Sequence, residues 1–223
     1  MGHDIKLTAS DHFQLGAYRA DPAGSPKAAV VVIQEIFGVN HHIRSICDRL
    51  AREGYVAVAP AIFDRIEPNF QSGYSPDEVA VARKFVASPD WAAMLRDTQA
   101  AIDAVKDVGP VGIIGFCLGG SIAYAAATRL SGLKAAIGYY GGAVVRSADD
   151  KPKVPTQLHF GEKDAGISLT DVETIRAKRP EVEVYIYEGA QHGFNCDERA
   201  SYDKKSADIA WPRSMDFFAK FLR

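Results

Sequence analysis

Apolar positions along the chain alternate between two rhythms. Residues 28–34 (AAVVVIQ) and 55–59 (YVAVA) are continuous apolar runs, the pattern of strands buried on both faces of a parallel sheet. Residues 111–116, 135–140, 156–160 and 182–187 read as further strands. Residues 41–53 place Ile43, Ile46, Cys47 and Leu50 on one helical face, and Gly54 stops that helix. Ser75-Pro76-Asp77-Glu78 opens a helix that runs to about residue 87, and a second helical pattern covers residues 89–106. Residues 118–129 and 170–177 predict two more helices, and residues 203–222 a last one, interrupted near Pro212 because proline lacks the N–H that a helix interior needs. Ahead of all these, residues 4–8 and 13–18 face each other across Ser10 and Asp11 as an antiparallel hairpin. Strands then alternate with helices, which implies one α/β domain over residues 1–223, a mainly parallel sheet with helices on both faces. Residues 60–75 read as a loop that shapes the pocket.

Composition narrows the function classes. The chain has 223 residues, 47% apolar and 24% charged, with a net charge of −2. Its 26 basic residues are scattered, so nucleic acid is not an expected partner. No apolar run reaches 18 residues, so no membrane span is expected. Residues 1–10 carry His3, Asp4 and Lys6 and no signal-peptide core, which makes the cytoplasm the expected compartment. Three cysteines (Cys47, Cys117 and Cys196) without a C-x-x-C pair leave at least one thiol free and suit a reducing environment.

The chemistry concentrates in three loops. Gly115-Phe116-Cys117-Leu118-Gly119-Gly120 joins a strand to a helix and matches G-x-S-x-G with cysteine at the serine position. A nucleophile on such a tight turn needs neighbours without bulk, and the helix N-terminus behind it favours a thiolate. The same glycines would also suit a phosphate cradle or a plain tight connection. Asp164 follows the strand at 156–160, at the sheet edge where α/β proteins build sites, with Glu162 as the fallback acid. His192 follows the strand at 182–187 in a glycine-flanked loop. The order Cys, Asp, His is that of α/β-hydrolase triads. His192, oriented by Asp164, would take the proton of Cys117, and the N–H of Leu118 would bind the developing oxyanion. No cofactor or metal is called for. The adjacent His41 and His42 point in different directions on a helix and read as structural or surface residues.

With these residues in place the chain resembles the dienelactone hydrolase (carboxymethylenebutenolidase) family over nearly its whole length. The resemblance rests on Gln34-Glu35-Ile36-Phe37-Gly38, on the Cys117 turn, on Gly138-Tyr139-Tyr140-Gly141, on Gly161-Glu162-Lys163-Asp164 and on His192-Gly193-Phe194. It implies that Glu35 contacts the cysteine and accepts its proton as substrate binds, and that the N–H of Ile36 completes the oxyanion hole. Members that act on dienelactone grip its carboxylate with arginines. One such position, four residues past the histidine, is Cys196 here, and the other falls near Val79, with Arg83 close by. Tyr140, Arg83 and Cys196 are therefore the expected substrate contacts, with Arg65, Arg199 and Lys204 as possible substitutes for the lost charge. An arginine replaced by cysteine removes both charge and bidentate geometry, so the expected substrate is an uncharged or differently shaped ester or lactone. The expected protein is a monomeric enzyme. A thioesterase or acyltransferase using the same triad, or a redox-sensing protein without activity, are the alternatives.

Overall fold

The computed structural model describes residues 2–223. Eight strands form one sheet: β1 (His3–Thr8), β2 (Gln14–Ala20), β3 (Ala28–Ile33), β4 (Tyr55–Pro60), β5 (Val111–Phe116), β6 (Leu133–Tyr139), β7 (Thr156–Gly161) and β8 (Glu183–Tyr187). Their spatial order is β1-β2-β4-β3-β5-β6-β7-β8. The hairpin β1–β2 and the pair β2–β4 are antiparallel, and every other pairing is parallel. Six helices accompany them: α1 (His41–Arg52), α2 (Pro76–Lys84), α3 (Trp91–Val105), α4 (Leu118–Arg129), α5 (Leu169–Lys178) and α6 (Lys204–Phe221).

The continuous burial of β3 resolves into two layers. Ala28, Val30 and Val32 enter one core, and Ala29, Val31 and Ile33 enter the other. Successive side chains of a strand point to opposite faces, so an apolar run of this kind is what a doubly covered sheet requires. Helix α1 packs its buried face of Ile43, Ile46, Cys47 and Leu50 into the first core, and α3 packs Met94, Ala101, Ile102 and Val105 into the second. The helix starts are fixed locally. The Asn40 side chain accepts from the N–H of Ile43, and Ser75 and Glu78 close a reciprocal capping box on α2.

Helix α6 corrects one expectation, because it runs through Pro212 without a break. Pro212 lies on the exposed face, where the carbonyl it leaves unpaired can turn to water, while Trp211 and Ser214 on either side stay buried. Helix α2 also ends at Lys84, earlier than its periodicity suggests.

Candidate active site

The Cys117 turn owes its shape to glycine. Cys117 sits between β5 and α4 with φ 56° and ψ −114°, a region that L-residues avoid. A Cβ on Gly115 would stand 1.9 Å from the carbonyl oxygen of Gly119, and one on Gly119 would stand 2.3 Å from that of Ile33. The turn can therefore press against β3 only with glycine at both positions. The Cys117 N–H donates to the Tyr139 carbonyl at 3.0 Å, which anchors the strained residue to β6. The thiol is left half-buried at the N-terminus of α4.

Two further loops at the C-terminal edge of the sheet bring in a carboxylate and an imidazole. Asp164 follows β7, and its side chain is fully buried. One carboxylate oxygen accepts the Gly166 N–H at 2.8 Å, and the other lies 2.7 Å from His192 Nδ1. The Cys117 side chain lies near enough to the His192 imidazole to perturb its charge. Burial works against charge on this ring, but the neighbouring Cys117 charge and the Asp164 hydrogen bond outweigh it and raise its pKa to about 10. Glu162 instead accepts the Gly189 N–H at 2.8 Å and takes no part in this chain of contacts.

Glu35 lies two residues past β3 and is 1% exposed. Gln34 fixes its backbone, donating to the Glu35 carbonyl at 3.2 Å and accepting the Ile62 N–H at 3.1 Å. The Glu35 carboxylate is held by Arg199 Nη1 at 2.9 Å and by the Tyr74 hydroxyl at 3.2 Å. Glu35 is thus a strand-end carboxylate in a buried ion pair. Room for the guanidinium comes from Gly193, where a Cβ would stand 2.5 Å from Arg199 Nη1. The loop before α2 carries Tyr74 into place. Asn40 donates to the Ser72 carbonyl and to the Tyr74 hydroxyl at 3.1 Å each, and Ser72 N–H donates to the Phe37 carbonyl at 3.0 Å.

The expected substrate contacts separate into three cases. Tyr140 is fully buried with φ 39°, its ring 5.0 Å from that of His192, and its hydroxyl has no hydrogen-bond partner among the described residues. Burial first, then the charge of Glu35, push its pKa well up, so the hydroxyl keeps its proton. Cys196 is fully buried against the Tyr74 hydroxyl, and burial followed by the Glu35 charge pushes its thiol up to about 12. It lies behind Glu35 rather than on an open wall. Arg83 is a correction: it is exposed in the last turn of α2 and contacts none of these residues. The face of α2 that packs inward is the one carrying Ala82, which turns Arg83 to solvent. Arg65 is tied to Asp97 and Asp11, and Lys204 to Asp208, so of the candidate substitutes only Arg199 reaches the site. The N–H groups of Ile36 and Leu118 make no hydrogen bond among the described residues. That of Leu118 begins α4, where a helix leaves its first N–H groups without partners.

A mainly parallel sheet preceded by an antiparallel hairpin, with a strained cysteine turn after β5, a carboxylate after β7 and a histidine after β8, defines the α/β-hydrolase fold. The chain belongs to the dienelactone hydrolase family, whose model matches residues 15–222, and it is a hydrolase. The Synechocystis sp. protein named "Putative carboxymethylenebutenolidase" is 38% identical, with 99% of this chain and 99% of that protein covered. The carboxymethylenebutenolidase of Pseudomonas putida is 30% identical over 96% of this chain and 95% of its own length. The crystal structure of a "Putative Dienelactone Hydrolase" from Klebsiella pneumoniae superposes with a TM-score of 0.86 at 32% identity, covering 99% of this chain and 100% of that one. No helix of the described residues is long and apolar enough to cross a membrane.

Proposed function

We propose that the chain hydrolyses a small ester or lactone through a Cys117–His192–Asp164 triad and a thioester intermediate. The observation that carries this reading is the strained Cys117 on its strand-to-helix turn and, at the same edge of the sheet, an imidazole whose Nδ1 lies 2.7 Å from a buried carboxylate. The thiolate attacks the acyl carbon, and the carbonyl oxygen becomes an oxyanion within reach of the Ile36 and Leu118 N–H groups. The tetrahedral intermediate collapses as the C–O bond breaks, and the His192 imidazolium protonates the departing alkoxide. Neutral His192 then takes a proton from water, whose oxygen attacks the thioester. The acid leaves, and the pair returns to its starting state. Asp164 holds Nδ1–H toward itself and leaves Nε2 for the proton transfers. The unpartnered hydroxyl of Tyr140 is the donor best placed to meet an oxygen of the bound substrate.

Glu35 serves as a carrier of the thiol proton: when substrate enters and its pair with Arg199 opens, it accepts the proton from Cys117 and passes it to His192, which holds it as the imidazolium that later protonates the alkoxide. Because Arg199 is engaged with Glu35 and Arg83 is turned away, the pocket favours an uncharged ester or lactone. The test sets p-nitrophenyl acetate beside a dienelactone, with wild type and Cys117→Ala. Hydrolysis of the neutral ester alone, lost in the variant, is expected. Equal rates on the dienelactone would show that Arg199 leaves Glu35 to take a substrate carboxylate. Equal rates for wild type and variant would remove Cys117 from the mechanism. Transfer of the acetyl group to an added alcohol in preference to water would make the enzyme an acyltransferase.

A further inference from the structure

We infer that Glu35, His42 and Cys196 form a binding site for a divalent cation of the zinc type, behind the candidate active site. A Glu35 carboxylate oxygen, a ring nitrogen of His42 and the Cys196 sulfur all lie within 4.8 Å of one another, and all three residues are buried. Sulfur, imidazole nitrogen and carboxylate oxygen together form a donor set suited to zinc or cobalt(II), and a poor one for calcium or magnesium. Bonds of about 2.0–2.3 Å place tetrahedral ligands about 3.5 Å apart. The three side chains would close in by about an ångström, within the reach of small rotamer changes.

The second observation is His42 itself. Its side chain is 2% exposed, and neither ring nitrogen has a hydrogen-bond partner among the described residues. Asp197 Oδ1 stands 3.9 Å from Nδ1, beyond hydrogen-bond reach. A neutral imidazole carries one donor and one acceptor, and protein interiors seldom leave both unpaired. The first turn of α1 presents His41 to solvent and His42 to the interior, so the adjacent histidines do not act as a pair. His42 finds its partners on two distant segments instead.

A route from solvent exists on the far side of the ring. A cleft of about 230 Å³ is lined by His42, Arg49, Asn195, Asp197 and Tyr202. The exposed carboxylates of Asp197 and Glu198 also lie within 4.8 Å of a His42 nitrogen. A cation would thus meet exposed acids, then the imidazole, then the buried thiol and carboxylate. Binding forms a metal–sulfur bond and releases the Cys196 thiol proton to solvent. It also places a dication beside Arg199, so the guanidinium must leave Glu35. The consequence for turnover rests on the proposed role of Glu35, whereas the binding does not.

The test uses Cys117→Ala protein, which removes the competing thiol and the activity together, titrated with Co²⁺. Saturation at one equivalent, with near-ultraviolet thiolate-to-cobalt charge transfer and the visible bands of a tetrahedral site, is the expected result. Cys196→Ser and His42→Gln, each in that background and each checked for an unchanged fold by circular dichroism, should weaken binding by at least about tenfold. Cys47→Ala should leave it unchanged. Absence of a saturable charge-transfer band overturns the inference, as does a band that survives Cys196→Ser. Neither outcome bears on the thioester mechanism, because the test protein lacks Cys117.

Discussion

The Arg199–Glu35 pair offers the sharpest energetic test, because one partner is almost wholly buried. Glu35 is 1% exposed and Arg199 20%. Arg199→Met keeps most of the stem volume and its packing near Phe37 and Tyr74, over whose rings the guanidinium lies at 5.7 Å. What it removes is the charge 2.9 Å from Glu35 Oε1. Removing one partner of a buried pair costs about 3–5 kcal/mol, because the other is left as an uncompensated charge. The Tyr74 hydroxyl stays at 3.2 Å from Oε2 and softens that loss, so the lower end, about 3 kcal/mol, is expected. For a chain of this size each kcal/mol shifts Tm by about 2–4 °C, so the expected fall is about 6–12 °C. Glu35→Gln in the Arg199→Met background should recover much of it, since no buried charge then remains. The assay is a double-mutant cycle by urea unfolding at neutral pH. Additive effects, or a loss below about 1 kcal/mol for Arg199→Met, would show that Glu35 is not held as a buried anion.

Three further outcomes follow from the same contacts. Asp164→Asn should leave the fold intact but lower kcat on p-nitrophenyl acetate by about 10³–10⁴-fold, since the amide no longer holds Nδ1–H toward itself. Gly119→Ala should reduce stability by about 1–3 kcal/mol or more in thermal unfolding, since its Cβ would stand 2.3 Å from the Ile33 carbonyl oxygen. His159 is fully buried, and burial followed by the charge of Arg213 lowers its pKa from 6.5 to about 3. A depressed value means that the unfolded chain binds the proton first. Stability from this group is therefore full above pH 6.5 and lost as pH falls toward 3, by about 2 kcal/mol between pH 7 and pH 5. His159→Gln should flatten that part of the pH profile of the urea midpoint.

What was legible in the sequence followed from local constraint. The apolar runs of β3 and β4 admit only a doubly covered strand, and the glycines around Cys117 are dictated by contacts of 1.9 and 2.3 Å that no other residue survives. Asp164 and His192 could be placed at one edge of the sheet because each lies in the loop that follows a strand. The Glu35–Arg199 pair spans 164 positions, and no local pattern encodes it. Arg199 appeared only as one of several substitutes, and Gly193, which makes room for it, was the available clue. Arg83 misled because closeness in sequence to an expected position does not fix which helical face turns inward. Tyr74 sits in an irregular loop whose path depends on Asn40 and Phe37, 32 or more positions away. His42, read as structural, is buried with neither ring nitrogen bonded, and the Glu35 and Cys196 atoms within 4.8 Å of it lie on other segments that no local pattern ties to it.

The central claim is that the acyl group passes through Cys117. Protein quenched in acid during turnover of p-nitrophenyl acetate can be digested and read by mass spectrometry. An acetyl group on the peptide containing Cys117, labile to hydroxylamine, absent in Cys117→Ala and accumulating in His192→Ala, is the expected result. Undiminished hydrolysis by Cys117→Ala, or an acetyl group carried by any other residue in turnover, would contradict the account.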